Sequence, residues 1–499
     1  MDGLPEFAEI HVISDIHMGG KLGFQILRKT QRLANFIRWV AKQRPTERVA
    51  LVLNGDVIDT LAEDISGYVA VDEAETTLKR IMDDPAFASI WKALADFVHT
   101  DKRTLVLIIG NHDIEIAFPN IQRLIAERLS GGNNAAKAHI EFSAAGAGYG
   151  CKVGKARIFC THGNEVDAWN FNRYEDLSRV ARRLNAGLTL NRDEWTPNAG
   201  TRMVKEVMNE VKKKYAWIDL LKPETSAAIG TLLALDPTQL SKISKLPPIL
   251  GAKVVGDYQA DKRLSADSLH TPATANNRPP TLESLLGPNV LESMKTTSGA
   301  SGQSGDDMLR ALEKSRTSSL QSQPLMSDAP LGLGQFVWDR LTGWLTGVSR
   351  VEALRRALQD WLQGDQTFAI DDKDATYQEV TAKLGANIDF VITGHTHLAR
   401  AIDMGAGRYY FNSGTWIRLM QFTNDMLANE QKFQPVYDVL VNGHLSAIDA
   451  AKINGQPLLL DRTSSVSISL ESGKTVGRLN QVIGDGTQAP TVQKQFVRP

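Results

Sequence analysis

The stretch Val391-Ile392-Thr393-Gly394-His395-Thr396-His397 decides the fold. Its apolar residues predict a buried strand, and the glycine marks the point where that strand ends. The loop that follows carries two histidines, two residues apart. A His-x-His pair is compatible with a metal site, although solvent-exposed or hydrogen-bonded histidine pairs are also common. The pair therefore has to be interpreted together with polar residues elsewhere in the chain.

Four segments upstream show the same pattern, an apolar run that ends in polar side chains. These segments end in Ser14-Asp15-Ile16-His17, in Asn54-Gly55-Asp56-Val57-Ile58-Asp59, in Gly110-Asn111-His112-Asp113 and in Thr161-His162-Gly163. Five of the ten histidines lie in loops of this kind. The first three runs are separated by helical sequence, and alternating strands and helices predict an α/β sandwich with ligands at the carboxyl ends of the strands.

Each of these polar residues also has an ordinary structural explanation when it is taken alone. Asp56 could cap a helix, Asn111 could be a turn residue, and His162 could be a satisfied buried histidine. Five recurrences of ligand-type residues at strand ends are difficult to attribute to chance. The pattern therefore predicts one shared site.

The order Asp-x-His, Gly-Asp-x-x-Asp, Gly-Asn-His-Asp, His-Gly and Gly-His-Thr-His resembles the calcineurin-like metallophosphoesterase superfamily, over about residues 8–167 and 386–416. The resemblance implies a four-layer α-β-β-α sandwich with a dinuclear metal centre. One ion would be bound by Asp15, His17 and His397, the other by Asn111, His162 and His395, and Asp56 would bridge them.

The resemblance also implies a chemistry. Two divalent ions, ~3.5–4 Å apart, would activate a hydroxide for in-line attack on phosphorus. His112 matches the family's general acid, and Asp59 matches the carboxylate that orients it. Carboxylate, amide and imidazole ligands suit Mn²⁺, which is our first choice, and also Fe or Zn²⁺. Asn412 and Thr415 are further candidates for lining the site.

The composition is that of a soluble globular protein with a formal net charge of −1, so the global charge does not point to nucleic acid or to a membrane. There is no run of about 18 uncharged apolar residues, so we expect no transmembrane helix. Cys151 and Cys160 are too few for a disulfide framework and read as small buried residues. A cytoplasmic location is the expectation, since no secretory signal is apparent.

The predicted organisation has six parts. They are the first part of the metallophosphoesterase domain (1–167), a helical basic cap (168–255), a flexible low-complexity linker (256–330), amphipathic helices of the cap (331–385), the second part of the domain (386–450) and a C-terminal tail (451–499). A last strand is predicted over 436–445. The large, mainly helical insertion would form a lid over the site.

Residues 168–223 contain eleven Lys and Arg residues against seven Asp and Glu residues. This excess could be a solvated helix face or an electropositive cap over an anionic substrate. Arg173 is the candidate for a first cationic contact with substrate, and a surface ion pair is the alternative. The apolar stripe of the 335–363 helix predicts packing on the catalytic domain, with self-association or membrane-surface binding as alternatives.

The expected substrate is a small or lipid-linked phosphoester. Thr60 and Asp113 stand where protein Ser/Thr phosphatases have arginine and glutamate, which argues against a phosphoprotein. The lipid-A pathway hydrolases of the superfamily have arginine where this chain has His112, which argues against that identity. A Mn-dependent nuclease is one alternative, with nucleic acid as its partner, but we do not favour it. The other is a regulatory or interaction protein with a phosphoesterase module.

Overall fold

The computed structural model describes residues 3–167, 169–188, 195, 197–221, 231, 234–235, 348–362 and 368–498. The predicted linker at 256–330 therefore lies outside the described residues, as do residues 335–347 of the predicted amphipathic helix. Within the described ranges, no helix is both long and apolar enough to cross a membrane.

The described part of the chain forms two large sheets and two short two-stranded pairs. In chain order the strands are β1 (Glu6–Phe7), β2 (Glu9–Ile13), β3 (Val49–Asn54), β4 (Arg103–Ile108), β5 (Ile140–Ser143), β6 (Tyr149–Val153), β7 (Ala156–Cys160), β8 (Phe390–Thr393), β9 (Arg400–Gly405), β10 (Arg408–Asn412), β11 (Leu419–Met420), β12 (Lys452–Ile453), β13 (Gln456–Pro457), β14 (Leu459–Leu460), β15 (Ser464–Glu471), β16 (Lys474–Gln481) and β17 (Thr491–Arg498).

The α-helices lie between these strands and in the cap. In chain order they are α1 (Thr30–Ala41), α2 (Ala74–Asp83), α3 (Ala88–Val98), α4 (Pro119–Ser130), α5 (Asn134–Lys137), α6 (Tyr174–Asn185), α7 (Ala199–Met203), α8 (Asn209–Lys212), α9 (Arg350–Leu362), α10 (Ala375–Ala382), α11 (Glu430–Asn442) and α12 (Leu445–Ala450). The sequence predicts continuous helix over 74–98, but the structure has two helices because Pro85 cannot continue the first.

The first sheet has seven strands in the order β17-β16-β15-β2-β3-β4-β5. Strands β2 to β5 are parallel, and β15 is antiparallel to β2. One face of this sheet packs against α1 to α4, because Leu51 and Leu105 meet helix residues such as Phe36 and Phe97 in one apolar cluster. Burial on both faces explains why these strands are continuous apolar runs.

The second sheet has six strands in the order β1-β6-β7-β8-β10-β9, with β8 parallel to both β7 and β10. Its inner face meets the first sheet in a cluster that includes Ile10, Val52, Cys160 and Ile392. Its outer face is covered by α10, where Val380 is buried. The four-layer α-β-β-α sandwich and the α/β class are confirmed.

The C-terminal segment is not a tail, in contrast to the prediction for 451–499. Residues from Ser464 onward form β15, β16 and β17, and β15 pairs with β2 from Val466↔Val12 to Ser469↔Glu9. Val466 and Ile468 are buried between the two sheets. The alternation of serine with apolar residues in this stretch is the period-2 pattern of a strand, and the segment completes the core sheet.

The predicted strand at 436–445 is also wrong, because α11 occupies this region. Asn429 caps the helix by accepting a hydrogen bond from the Lys432 N–H, and Gly443 ends it in a left-handed conformation. The buried side chains of Phe433, Val436 and Leu440 recur at helical spacing, which outweighs the β-branched residues of the run.

A second apolar core lies outside the sandwich. It joins α8, residues 216–221 and α9 to α11 and α12, with the indole nitrogen of Trp217 donating to the Leu440 carbonyl at 2.7 Å. The buried face of α9, with Ala353, Leu354, Ala357 and Leu358, packs within this core. Part of the segment assigned above to the second half of the catalytic domain therefore packs with the cap. Conversely, α10, assigned above to the cap, covers the second sheet.

Candidate metal centre

The carboxyl ends of five strands meet at one edge of the sandwich. In the first sheet, the loop after β2 is held to the loop after β3 by the hydrogen bond from the Asp15 N–H to the Gly55 carbonyl, at 3.1 Å. In the second sheet, the Gly394 N–H donates to the His162 carbonyl at 2.8 Å. The Asn54 amide joins the two sheets by donating to the Thr161 carbonyl at 2.9 Å. Parallel strands thus bring the predicted motifs together.

Six of the seven predicted metal ligands fall into two clusters. Within each cluster, the ligand atoms lie within 4.8 Å of one another, and the clusters are Asp15, His17 and His397 on one side and Asp56, His162 and His395 on the other. The seventh, Asn111, lies beside Asp56, whose Oδ1 accepts the N–H of the next residue, His112, at 2.9 Å. Asp56 lies between the clusters, with Oδ2 at 3.2 Å from His162 Nε2 and 3.8 Å from His17 Nε2.

Two of the four histidines have one ring nitrogen held by the first sheet. His162 Nδ1 lies 2.7 Å from the Asn54 carbonyl, which can only accept, so this nitrogen carries the proton. His17 Nδ1 lies 3.4 Å from Asp59 Oδ2. A histidine that donates one ring N–H to the protein presents the lone pair of its other nitrogen to a metal. In both residues that other nitrogen is Nε2, which faces Asp56.

The remaining two histidines are held on the opposite side. His395 Nε2 lies 2.8 Å from Asp167 Oδ2, which leaves Nδ1 to face the centre. His397 Nδ1 lies 3.3 Å from Thr415 Oγ1, and that hydroxyl donates to the Asp15 carbonyl at 2.8 Å. His397 Nε2 then faces Asp15 Oδ1 at 3.3 Å. All four imidazoles therefore have one nitrogen fixed by the protein and the other directed to the centre.

Most of the ligands have a backbone conformation that L residues rarely adopt. The φ angles are 54° at Asp15, 52° at His17, 52° at Asp56, 69° at His395 and 62° at His397. Each such residue costs on the order of 1–3 kcal/mol and persists only where its surroundings fix it. The positive φ values thus identify loops whose backbone conformation positions the predicted ligands of the site.

The motif glycines provide the space that these loops need. A Cβ at Gly110 would lie 2.0 Å from Asp56 Oδ1, and one at Gly55 would lie 2.3 Å from His162 Nδ1. A Cβ at Gly394 would lie 2.4 Å from the hydroxyl of Ser14. At these three positions any side chain would displace a ligand or its neighbour, which explains why the motifs carry glycine there.

The carboxylates of the centre are buried and repel one another, so the centre strongly favours the binding of a positive charge. Burial lowers the pKa of His162, but Asp56 and Asp15 outweigh that effect and raise it to about 10. Burial raises the pKa of Asp113 to about 7, with Asp56 adding to the shift. The centre therefore binds a proton, or a cation in its place, with a strong preference.

His112 and Asp59 lie next to the ligands. Asp59 Oδ1 is 3.0 Å from His112 Nδ1, and the His112 ring stands edge-on to His17 with 4.8 Å between the ring centroids. Burial raises the pKa of Asp59, but the nearby His112 outweighs it and holds that pKa well below its usual range. The Thr60 hydroxyl donates to the His112 carbonyl at 2.8 Å and thus fixes its backbone.

The side chains present fit a pair of divalent ions. Four buried atoms in the centre make no hydrogen bond, namely Asp15 Oδ1, His17 Nε2, Asn111 Oδ1 and His162 Nε2. Buried polar atoms normally have a partner, and all four are atoms that ligate metals. The two cysteines take no part, since they are free and buried between the sheets, and burial raises the pKa of Cys151 to about 12.

Several supporting residues were missed or only partly foreseen from the sequence. Asp167 had no predicted role, and Thr415 was expected only to line the site. No pattern in the sequence marks the Asn54 carbonyl as a partner of His162, because a backbone group leaves no signature. Arg173, the predicted substrate contact, is half-buried and precedes α6, directly after Asn172, whose amide donates to the Gly110 carbonyl at 2.8 Å.

Comparison with known proteins agrees with this geometry. Residues 8–220 match the family model of the calcineurin-like phosphoesterases. Over these residues the chain is similar to the metallophosphoesterases, which are hydrolases that act on phosphoester bonds. Its two clusters of His and Asp side chains have the ligand types and the spacing to hold a dinuclear metal centre.

One solved structure that matches is a dimetal phosphatase from Danio rerio, with 9% sequence identity, a TM-score of 0.28 and coverage of 98% of each chain. No curated protein matches the sequence significantly. The likeness to this family therefore depends on the match over residues 8–220 and on the geometry of the site.

Proposed function

We propose that the protein hydrolyses a small or lipid-linked phosphoester, as a phosphodiesterase or phosphatase, with two divalent ions. Asp15, His17 and His397 would hold the first ion. Asn111, His162 and His395 would hold the second ion, and Asp56 would bridge both. We call these two groups of three side chains the first and the second half-site. The proposal includes Mn²⁺ as the preferred ion, with Fe or Zn²⁺ compatible with the same nitrogen and oxygen donors.

One observation carries the proposal: the fixed orientation of the four imidazoles. Each has one nitrogen against a carboxylate, a carbonyl or a hydroxyl, and the other directed to a buried centre. Four histidines that only fill a protein core would not be expected to direct one ring nitrogen each to the same point. Partners of this kind fix the tautomer of a metal-bound histidine and raise its basicity.

Two divalent ions held there would polarise the phosphoryl group and make a water molecule more acidic. The chain itself would keep other ligands away from the ions and would fix the positions of the charged side chains around them. Asp15 and Asp56 are fully buried, so their charges are poorly screened by water.

His112 is the group proposed to donate a proton to the leaving oxygen. Its Nδ1 is paired with Asp59, which leaves Nε2 as the nitrogen that can serve substrate, and its side chain is 11% exposed. The negative charge of Asp59 stabilises the protonated imidazole before transfer. A positioned acid of this kind contributes typically ~10²–10⁴-fold.

Two observations bear on the substrate. Leu22 is 90% exposed and Phe24 42% exposed in the loop that follows the Asp15–His17 motif, and we propose that an apolar part of the substrate contacts this loop. Three of the eleven cations counted in 168–223 form ion pairs within the chain, since Arg179 pairs with Asp176, Lys212 with Asp219 and Lys213 with Glu210. This pairing reduces the charge available to a nucleic acid, so we do not favour a nuclease.

The test is a panel of phosphoesters crossed with Mn²⁺, Zn²⁺, Mg²⁺ and Fe²⁺ after chelation. We expect turnover of bis-p-nitrophenyl phosphate to depend on added metal and to be lost in Asp56→Asn. His139→Ala is the matched control, because His139 binds the Val98 carbonyl outside the centre and its loss should leave turnover intact. Undiminished activity in Asp56→Asn, or equal turnover without metal, would contradict the proposal.

A further inference from the structure

The two half-sites receive their support from different parts of the chain. For the second half-site the support comes from residues at the start of the insertion. Asp167 Oδ2 lies 2.8 Å from His395 Nε2, and Asn172 Nδ2 donates to the Gly110 carbonyl at 2.8 Å. Gly110 directly precedes the ligand Asn111. Two of the three second-ion ligands thus depend on residues 164–167 and 169–173, which we call the root of the cap.

The first half-site is supported by the core instead. Thr415 Oγ1 is the partner of His397 Nδ1 and also donates to the Asp15 carbonyl. The Ser14 hydroxyl lies against Asp15 Oδ2 and at 2.7 Å from the Ser413 hydroxyl. Both Ser413 and Thr415 follow strand β10 of the second sheet. These hydrogen bonds are all made within the sandwich.

The root of the cap is itself packed on helix α7. Asp167 Oδ2 also accepts from the Asn170 amide at 2.7 Å, and Asp167 Oδ1 accepts from the Trp169 N–H at 2.8 Å. The Trp169 carbonyl in turn accepts from the Gly200 N–H at 2.7 Å. A Cβ at Gly200 would lie 2.0 Å from Asn170 Oδ1, so the helix and the root are in direct contact.

We infer that the position of helix α7 controls the affinity of the second ion, through contacts that run from Gly200 to Asn170, Asp167 and His395. Asp167 is a positioning residue in this scheme, because it acts through His395. The inference depends on the proposed function, since it takes His395 as a ligand of the second ion.

The physical reason lies in what Asp167 does to His395. Its carboxylate accepts the Nε2 proton, which fixes the ring orientation and makes Nδ1 a better donor to a metal. Loss of such an outer partner typically weakens metal binding by ~10–100-fold. The coupling is reciprocal. If a movement of helix α7 strengthens the binding of the second ion, the binding of that ion must favour the same movement.

The first experiment is a metal titration of the full-length protein after chelation, with Mn²⁺ as the probe. We expect wild type to bind two ions in two steps. Asp167→Ala should weaken the second step by ~10–100-fold and leave the first unchanged. Asp167→Asn, which keeps the shape and one acceptor oxygen, should have a smaller effect in the same direction. Thr415→Val is the matched control, and it should weaken the first step instead.

The second experiment tests the link to the cap. Gly200→Ala should weaken the second ion although it lies outside both half-sites, because its Cβ would displace Asn170. In a background of Asn170→Ala, which removes the Oδ1 atom that the Cβ would meet, Gly200→Ala should have little further effect. This non-additivity distinguishes transmission through Asn170 from a general loss of stability.

The outcomes separate the two claims. If wild type binds fewer than two ions, the proposed function fails. If wild type binds two ions and Asp167→Ala, Asp167→Asn and Gly200→Ala all leave the second step unchanged, the inference alone is wrong. It is also wrong if the Asp167 variants weaken both steps equally while circular dichroism shows the wild-type fold.

Discussion

His17 and His397 are held by groups from the body of the sandwich. In contrast, His395 and Gly110, the residue before Asn111, form hydrogen bonds with the root of the cap. The two half-sites use similar donors, since each has two imidazoles and one oxygen ligand and they share Asp56. They differ in what fixes those donors. The partner of His397 follows strand β10, whereas the partner of His395 belongs to the root of the cap. The two half-sites thus have similar ligands, but different parts of the chain hold those ligands in place.

This difference has a consequence for local stability. The first half-site is tied to the C-terminal strands, because the Ser464 hydroxyl of β15 donates to the Ser413 carbonyl at 2.7 Å. Core strands open only with global unfolding, whereas loops at the root of a cap can open locally at a lower free energy. The second ion is therefore the one whose occupancy can respond to conditions.

The largest effect on metal binding and turnover is expected from changing Asp56, because this proposed bridging ligand belongs to both half-sites. Asp56→Asn should abolish the binding of both ions, since a neutral amide replaces the charge that they share. Turnover should fall by more than the ~10²–10⁴-fold that one general acid contributes. Metal content and activity measured on the same sample check this. Retention of one tightly bound ion would show that Asp56 belongs to one half-site only.

A smaller effect is expected at His112, which separates binding from proton transfer. His112→Ala should retain both ions and lower turnover by ~10²–10⁴-fold for an ester with an alkyl leaving group. The loss should be less for a p-nitrophenyl ester, because that leaving group departs without a proton. Rates for the two esters check this. Equal losses for both would argue that His112 does not protonate the leaving oxygen.

The dependence of metal affinity on pH should sharpen the comparison further. Burial lowers the pKa of His162, but in the metal-free centre Asp56 and Asp15 outweigh it and raise the pKa to about 10, so at neutral pH this ring must lose a proton when the pair of ions binds. The overall affinity for the pair should therefore rise with pH below that pKa. Mn²⁺ titrations at several pH values between neutral and mildly alkaline measure the slope. An overall affinity that is independent of pH would contradict the assignment of His162.

The smallest effect concerns the link between the first half-site and the C-terminal strands. Ser464→Ala removes one buried hydrogen bond to the Ser413 carbonyl, which should cost ~1–3 kcal/mol of stability because the acceptor stays unpaired. It should also weaken the first ion slightly and leave the second unchanged. Urea unfolding and metal titration test the two parts. A loss confined to the second ion would overturn the division of support.

Much of the centre could be predicted from the sequence because its motifs are local. Asp15 and His17, or Asn111 and His112, are close together in the chain, and each pair follows an apolar strand whose direction fixes where they lie. The parallel sheet then brings separate motifs to one edge. The fold class followed from the same strands and from the resemblance.

The parts that were missed depend on long-range pairing. Strand β15 joins β2 across more than 450 residues of chain, and its serine-rich sequence has a weak apolar signal. Helix α11 contains Val436 in a β-branched run, which led to the strand prediction, although its caps at Asn429 and Gly443 were signals that could have identified it as a helix. The pairing of Asp167 with His395 joins residues 228 positions apart, so no local pattern could reveal it.

The most direct test of the two half-sites is electron paramagnetic resonance of the protein as Mn²⁺ is added. With one equivalent we expect the spectrum of an isolated ion in the first half-site. With two equivalents we expect a spin-coupled pair, and in Asp167→Ala that coupled spectrum should require more Mn²⁺. A single uncoupled ion at saturation, or a coupled pair that forms as readily in Asp167→Ala as in wild type, would contradict this description of the centre.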